Sequence, residues 1–100
     1  MAFTTGAELD LDLARPLLEY IDSRLKLRLP VDAMDRLAHD TPLDEEQSMD
    51  LIVPYGGKSV PLLYTVFKDD CDVVDIGFFT PDPSLGPAIG QQIDAFGDGD

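Results

Sequence analysis

Three patterns predict an α+β fold. Apolar residues recur at helical spacing in the first third, β-branched and aromatic runs flank a Gly-Gly turn in the middle, and a second helical stripe lies near the end. The expected order is N-terminal helices, a three-stranded antiparallel β-meander and a C-terminal helix. With 100 residues, 44% of them apolar, the chain is read as a single domain over 1–100 with one modest core, and residues 1–7 and 97–100 are read as disordered.

Leu13, Leu17, Tyr20 and Ile21 set the first stripe, and Leu18, Leu25 and Leu29 widen it. Helix one is placed from Leu13 to Arg28, with Asp12 as N-cap and Pro16 in the first turn, where its missing N–H is tolerated. Glu8-Leu9-Asp10-Leu11-Asp12 alternates instead, which leaves an extended reading of that stretch open. Pro30 stops the helix. Asp32 can cap a second one bearing Met34 and Leu37, and Thr41-Pro42-Leu43-Asp44-Glu45 reads as another start with Pro at its first position. Ala33 to Gln47 is expected as two short helical pieces.

Strands are expected over Met49–Tyr55, Ser59–Phe67 and Asp72–Phe79. Tyr55-Gly56-Gly57-Lys58 is a two-residue hairpin signal, because both glycines accept positive φ. That turn pairs Val53 with Val60, Leu51 with Leu62 and Met49 with Tyr64 on one face. A three-residue loop at Asp69-Asp70-Cys71 then pairs Val66 with Val74, Tyr64 with Ile76 and Leu62 with Phe78. It is preferred to a two-residue loop, which sets Asp75 against Tyr64. Pro81-Asp82-Pro83 breaks the sheet, and Leu85, Ile89, Ile93 and Phe96 form a C-terminal helical stripe ended by Gly97.

In this register the opposite sheet face presents Ile52, Leu63, Phe67, Val73 and Phe79 with Pro54, Pro61, Thr65 and Asp75, too apolar for a plainly solvated surface. A helix on each side of the sheet is the expected cover. A partner or dimer interface through Ile52, Leu63, Phe67, Val73 and Phe79 is the alternative.

Charge gives the strongest functional constraint. Against seven Lys and Arg stand 20 Asp and Glu, and many of these acids fall in two blocks without a base. One runs Asp40, Asp44, Glu45, Glu46, Asp50; the other runs Asp69, Asp70, Asp72, Asp75, Asp82, Asp94, Asp98, Asp100. Such a field repels nucleic acid and anionic lipid and attracts basic partners. Direct nucleic-acid binding and membrane association are therefore not expected. Arg24, Lys26 and Arg28 bunch at the end of helix one, so the molecule is electrically polar. The single cysteine, Cys71, suits a reducing compartment, and with no basic start followed by an apolar run and no spanning stretch, a cytoplasmic location is expected.

No catalytic or cofactor motif accompanies the charge. His39, the only histidine, is one helical turn from Asp35, which reads as a surface ion pair rather than a catalytic dyad. Cys71 sits between Asp70 and Asp72, and neighbouring carboxylates disfavour the nucleophilic thiolate. A zinc centre lacks ligands. Asp69 to Asp75 lacks the glycine and distal Glu of an EF-hand loop, and Gly97-Asp98-Gly99-Asp100 resembles only one fragment of calcium-binding nonapeptide repeats. No cofactor or metal is expected. Asp72 with Asp75 is the only carboxylate pair that suggests an acid–base centre, and an enzyme is not expected.

Gln47-Ser48-Met49-Asp50-Leu51 resembles the site at which acyl carrier proteins receive phosphopantetheine on serine. That family opens a long helix at the serine, whereas Pro54, Gly56 and Gly57 interrupt here, and hairpin register accounts for Met49 and Leu51. The site is accordingly not expected.

The expected function is that of a small acidic protein-binding module that inhibits or masks a basic, often nucleic-acid-binding, surface of a larger protein or nucleoprotein partner. Anti-CRISPR proteins, DNA mimics and nuclease-immunity proteins share this physical class. Asp44, Glu45, Glu46, Asp50, Asp69, Asp70, Asp72 and Asp75 would carry recognition. The alternative is an acidic secretion or folding chaperone, homodimeric through its apolar sheet face; the element order and acidity resemble type III secretion chaperones.

Overall fold

The structure, a computed structural model, describes residues 3–98. Among them, strand β1 (Phe3–Asp10) leads through a 3-10 turn (Leu11–Leu13) into helices α1 (Ala14–Leu25) and α2 (Val31–Asp40). Strands β2 (Glu46–Tyr55), β3 (Lys58–Asp70) and β4 (Val73–Thr80) follow, and helix α3 (Leu85–Asp98) ends the described chain. The four strands form one antiparallel sheet in the order β1-β4-β3-β2. The helices carry the chain from one edge of the sheet to the other, and the meander walks back.

The α+β class and the antiparallel meander hold, and the N-terminus corrects the expected order. Phe3–Asp10 is an edge strand where residues 1–7 were read as disordered; Met1, Ala2, Gly99 and Asp100 lie outside the described residues. The alternation at Glu8–Asp10 is the strand signal, with Ala7 and Leu9 packing on the core while Glu8 and Asp10 face solvent. β1 completes its pairing only on β4, seventy residues later in sequence at Thr5↔Phe78 and Ala7↔Ile76. At the other end Gly97 continues α3 rather than ending it.

Helix α1 is shorter than expected at both ends. Asp12 lies in the 3-10 turn, and Leu13 takes the N-cap position without a side-chain cap. At the C-terminus Lys26 and Arg28 turn left-handed at φ 54° and 55°, and Leu27 and Leu29 are buried from this irregular run. Pro30 disfavours helical backbone at Leu29, and the Leu29 N–H donates to Asp22 Oδ1 at 2.8 Å, anchoring that run to α1. Of the two helical pieces expected over Ala33–Gln47 only the first forms, as α2, with Pro30 at its N-cap position. Asp32 does not cap it; its carboxylate takes Arg15 instead. Thr41-Pro42 starts no helix, because Asp44 turns left-handed at φ 63° into β2.

The Gly56-Gly57 turn sets the first hairpin as expected, with Val53↔Val60, Leu51↔Leu62 and Met49↔Tyr64. The second hairpin is shifted by two residues. Its partners are Val66↔Ile76 and Tyr64↔Phe78, not Val66–Val74 and Tyr64–Ile76. The turn is the tight Cys71-Asp72 pair, and a bulge between Lys68 and Asp70 adds the residue that keeps Val74, Ile76 and Phe78 on the core face. Pro61 is tolerated in this central strand because β4 ends beside it; the Pro61 carbonyl accepts the Thr80 hydroxyl at 2.8 Å.

All three described helices cover the same sheet face, which overturns the expectation of a helix on each side. Leu17, Leu18 and Ile21 from α1, Met34 and Ala38 from α2, and Leu85, Ile89 and Ile93 from α3 form one buried cluster with Val60, Leu62, Tyr64, Val66, Val74, Ile76 and Phe78. The Tyr64 hydroxyl donates to the Met34 carbonyl at 3.3 Å, and burial, with Asp35 nearby, pushes its pKa well up. The opposite face alternates apolar side chains with Glu8, Asp10, Glu46, Asp50 and Asp75. A helix laid there would have to desolvate those carboxylates without partners.

Candidate functional site

The register assembles the acids. Asp44, Glu45 and Glu46 open β2 and lie against the end of β3: the Asp44 N–H donates to the Lys68 carbonyl at 2.8 Å, and the Lys68 N–H to the Glu45 carbonyl at 3.1 Å. Asp69 and Asp70 close β3, and Asp72 lies in the turn, where its carbonyl accepts the Leu11 N–H at 2.7 Å and ties in the end of β1. Parts of the two sequence blocks, Asp44–Glu46 and Asp69–Asp72, thus meet at one end of the sheet. Asp75 and Asp50 stand further along the open face, opposite Phe67 and Leu63.

Sequence reasoning missed Glu8 and Asp10. β1 brings both to the same surface, Glu8 opposite Asp75 and Asp10 opposite Val73. The bulge turns Asp69 toward them, so carboxylate oxygens of Glu8, Asp69 and Asp75 all lie within 4.8 Å of one another. A hydrogen bond shared with Asp69, together with the charges of Asp75 and Asp69, raises the Glu8 pKa above its ordinary value of 4.5. The alternation Glu8-Leu9-Asp10 carried this signal; its sheet partner did not show in the sequence. The trio brings one oxygen from each carboxylate together, whereas a calcium shell takes six to eight oxygens.

Cations serve the other layer. Among the described residues, the ion pairs are Arg15 with Glu19, Asp32 and Asp35, His39 with Asp35, and Lys58 with Asp82. None involves an acid of the open face. Lys68, the base closest in sequence to Asp69, points into the core and is 6% exposed; its Nζ donates to the His39 carbonyl at the C-terminus of α2, where helix carbonyls favour a cation. His39 Nε2 lies 3.4 Å from Asp35 Oδ1, a charge contact without hydrogen-bond alignment, which leaves that buried oxygen unpartnered. Cys71 is exposed in the turn, and its N–H donates to Asp70 Oδ1 at 2.6 Å.

The apolar candidates share the open face. Ile52 is 69% and Phe79 42% exposed, while Leu63, Phe67 and Val73 are half-buried. Phe79 is opposite Leu63, and Leu63 opposite Asp50; four residues along, Asp75 is opposite Phe67, and Phe67 opposite Glu46. Between these rows runs Gly6–Gly77–Thr65–Ser48, with glycine or a short side chain at each position. Asp72 and Asp75, the pair considered for acid–base chemistry, are divided between the turn and the strand, and Asp75 groups with Glu8 instead.

No helix of the described residues is long and apolar enough to cross a membrane. Fold and surface together define the class: a two-layer α+β protein whose helices cover one sheet face and leave the other open, acidic and partly apolar. No protein-family model, curated protein or solved structure matches the chain.

Proposed function

We propose that this chain is a small acidic protein-binding module that masks or inhibits a basic surface of a larger partner, of the kind that handles nucleic acid. One observation carries the reading: Glu8 and Asp10 of β1, the Asp44–Glu46 and Asp69–Asp72 parts of the two acidic blocks, and Asp50 and Asp75 gather about the open sheet face, and no described ion pair neutralises them. An unpaired field of one sign accelerates encounter with a basic partner and rejects acidic ones. Binding rather than catalysis is the proposed role, and a cytoplasmic location belongs to the same proposal.

The test is capture from lysate with the tagged chain at low and moderate salt. A basic nucleic-acid-handling protein, lost as salt rises, is the expected catch. Reversing Glu45, Glu46, Asp69 and Asp70 to lysine should abolish it, and unchanged capture would refute the reading.

The exposure of Ile52 and Phe79 favours a second reading, a homodimeric chaperone joined through the open face. Phe67→Asp or Phe79→Asp would then dissociate the dimer and leave a folded monomer. A strictly monomeric protein at high micromolar concentration would remove this alternative.

A further inference from the structure

We propose that the open sheet face seats an amphipathic α-helix of the partner, apolar underneath and carrying Lys or Arg along one flank. The inference rests on the masking reading and names the element that would be masked. Residues on one strand face recur at about 6.6 Å, so the rows on either side of Gly6–Gly77–Thr65–Ser48 stand ~13 Å apart. Less the width of the wall side chains, that separation takes the underside of a helix, whose full width is about 10–12 Å. No side chain rises from Gly6 or Gly77, and only the short Thr65 and Ser48 side chains complete that row, so it lies below the rows on either side.

The walls differ, and the difference specifies the guest. Phe79 and Leu63 make most of one wall apolar, with Asp50 only at its β2 end. Glu8, Asp75 and Glu46 flank Phe67 on the other, with Asp69 beside them. A helix lying across the strands thus meets mainly carbon on one flank, up to Asp50, and a run of uncompensated carboxylates on the other. Cations on that flank would also relieve the crowding of Glu8, Asp69 and Asp75. A second copy of this chain fits poorly, because face-to-face pairing buries both acidic walls with no described cation on the open face to meet them.

The full chain, isotope-labelled, can be titrated with synthetic helical peptides and followed by NMR. The first probe carries leucine and alanine beneath and lysine along one flank; the second replaces each lysine by glutamine; the third keeps the composition but is interrupted by proline. The expected result is saturable shifts centred on Gly6, Thr65, Gly77 and Phe79 with the first probe alone. Phe79→Asp should weaken its binding by about tenfold, as expected for a central apolar anchor. Leu63→Asp, on the same wall, is the second variant should Phe79→Asp fail to fold. Glu8→Gln with Asp75→Asn should weaken binding and flatten its salt dependence.

Equal binding of the proline-interrupted peptide, with shifts confined to Asp44–Glu46 and Asp69–Asp72, would overturn the helix seat and leave the masking reading intact. Concentration-dependent shifts at Phe79 without peptide would overturn it in favour of self-association. Failure of all three peptides at low salt would also overturn it, and lysate capture would then decide the masking reading separately.

Discussion

Asp82 illustrates how one side chain joins both layers. Its Oδ1 accepts the N–H groups of Ser84 and Leu85, each at 2.8 Å, and so caps α3, while its Oδ2 lies 3.2 Å from Lys58 Nζ in the hairpin turn. Those backbone donors, with Lys58, hold its pKa below the ordinary 3.8 despite the opposing cost of burial. A depressed carboxylate contributes stability that is complete above the unfolded value and is lost as pH falls through the folded one. Asp82→Ala should lower Tm by roughly 5 °C at neutral pH, and thermal melts below pH 3.8 should show the difference shrinking. Glu8 has the opposite sign. Its raised pKa contributes stability that is complete below 4.5 and declines as pH rises through the folded value. Glu8→Gln should therefore stabilise the protein near neutrality, with little gain below pH 4.5; equal gain at both pH values would contradict the crowding of Glu8, Asp69 and Asp75. Neither role was read from the sequence: Asp82 was taken as part of a sheet break, and Glu8 was left unassigned.

Among the elements, β1 and β4 depend on glycine for close approach. Gly6→Ala would push a methyl group against backbone, the Ile76 carbonyl, and should cost about 1–3 kcal/mol in urea unfolding. Gly77→Ala meets a side-chain atom, Thr65 Oγ1, so Thr65→Ala in the same chain should restore most of the loss. No restoration would mean that the strand itself cannot accept a Cβ there. The first hairpin was legible because Gly56 and Gly57, at φ 63° and 79°, mark a two-residue turn and the apolar phase fits it. The second was not, because a bulge compensates a tighter turn and preserves the same alternation. Period two specifies which face a residue takes; it is silent about a shift of two.

At the scale of the whole molecule, charge is separated by layer. Described cations neutralise acids of the helical layer, whereas Glu8, Glu46, Asp50, Asp69 and Asp75 make no ion pair with them. Self-repulsion on the open face should be screened by added salt, since exposed charges interact weakly beyond a Debye length of ~8–10 Å near physiological ionic strength. Tm is expected to rise between low salt and about 0.5 M sodium chloride, where that length is only a few ångströms. Replacing Glu8, Asp69 and Asp75 by their amides should remove much of the rise. An unchanged slope would place the repulsion elsewhere.

The sequence by itself determined the α+β class, the first hairpin and its register, the helical stripes and the two acidic blocks. Each rests on local chemistry: turn residues, side-chain period and charge read within a few positions of one another. Only the tertiary structure decided that Phe3–Asp10 joins β4, that all three described helices share one face, and that Glu8 and Asp10 complete the acidic surface. Those outcomes depend on contacts between residues far apart in the chain. Ala7 and Leu9 find an apolar sheet and helix layer only after β4 and α3 are in place, and that burial sets Glu8 and Asp10 on the open side.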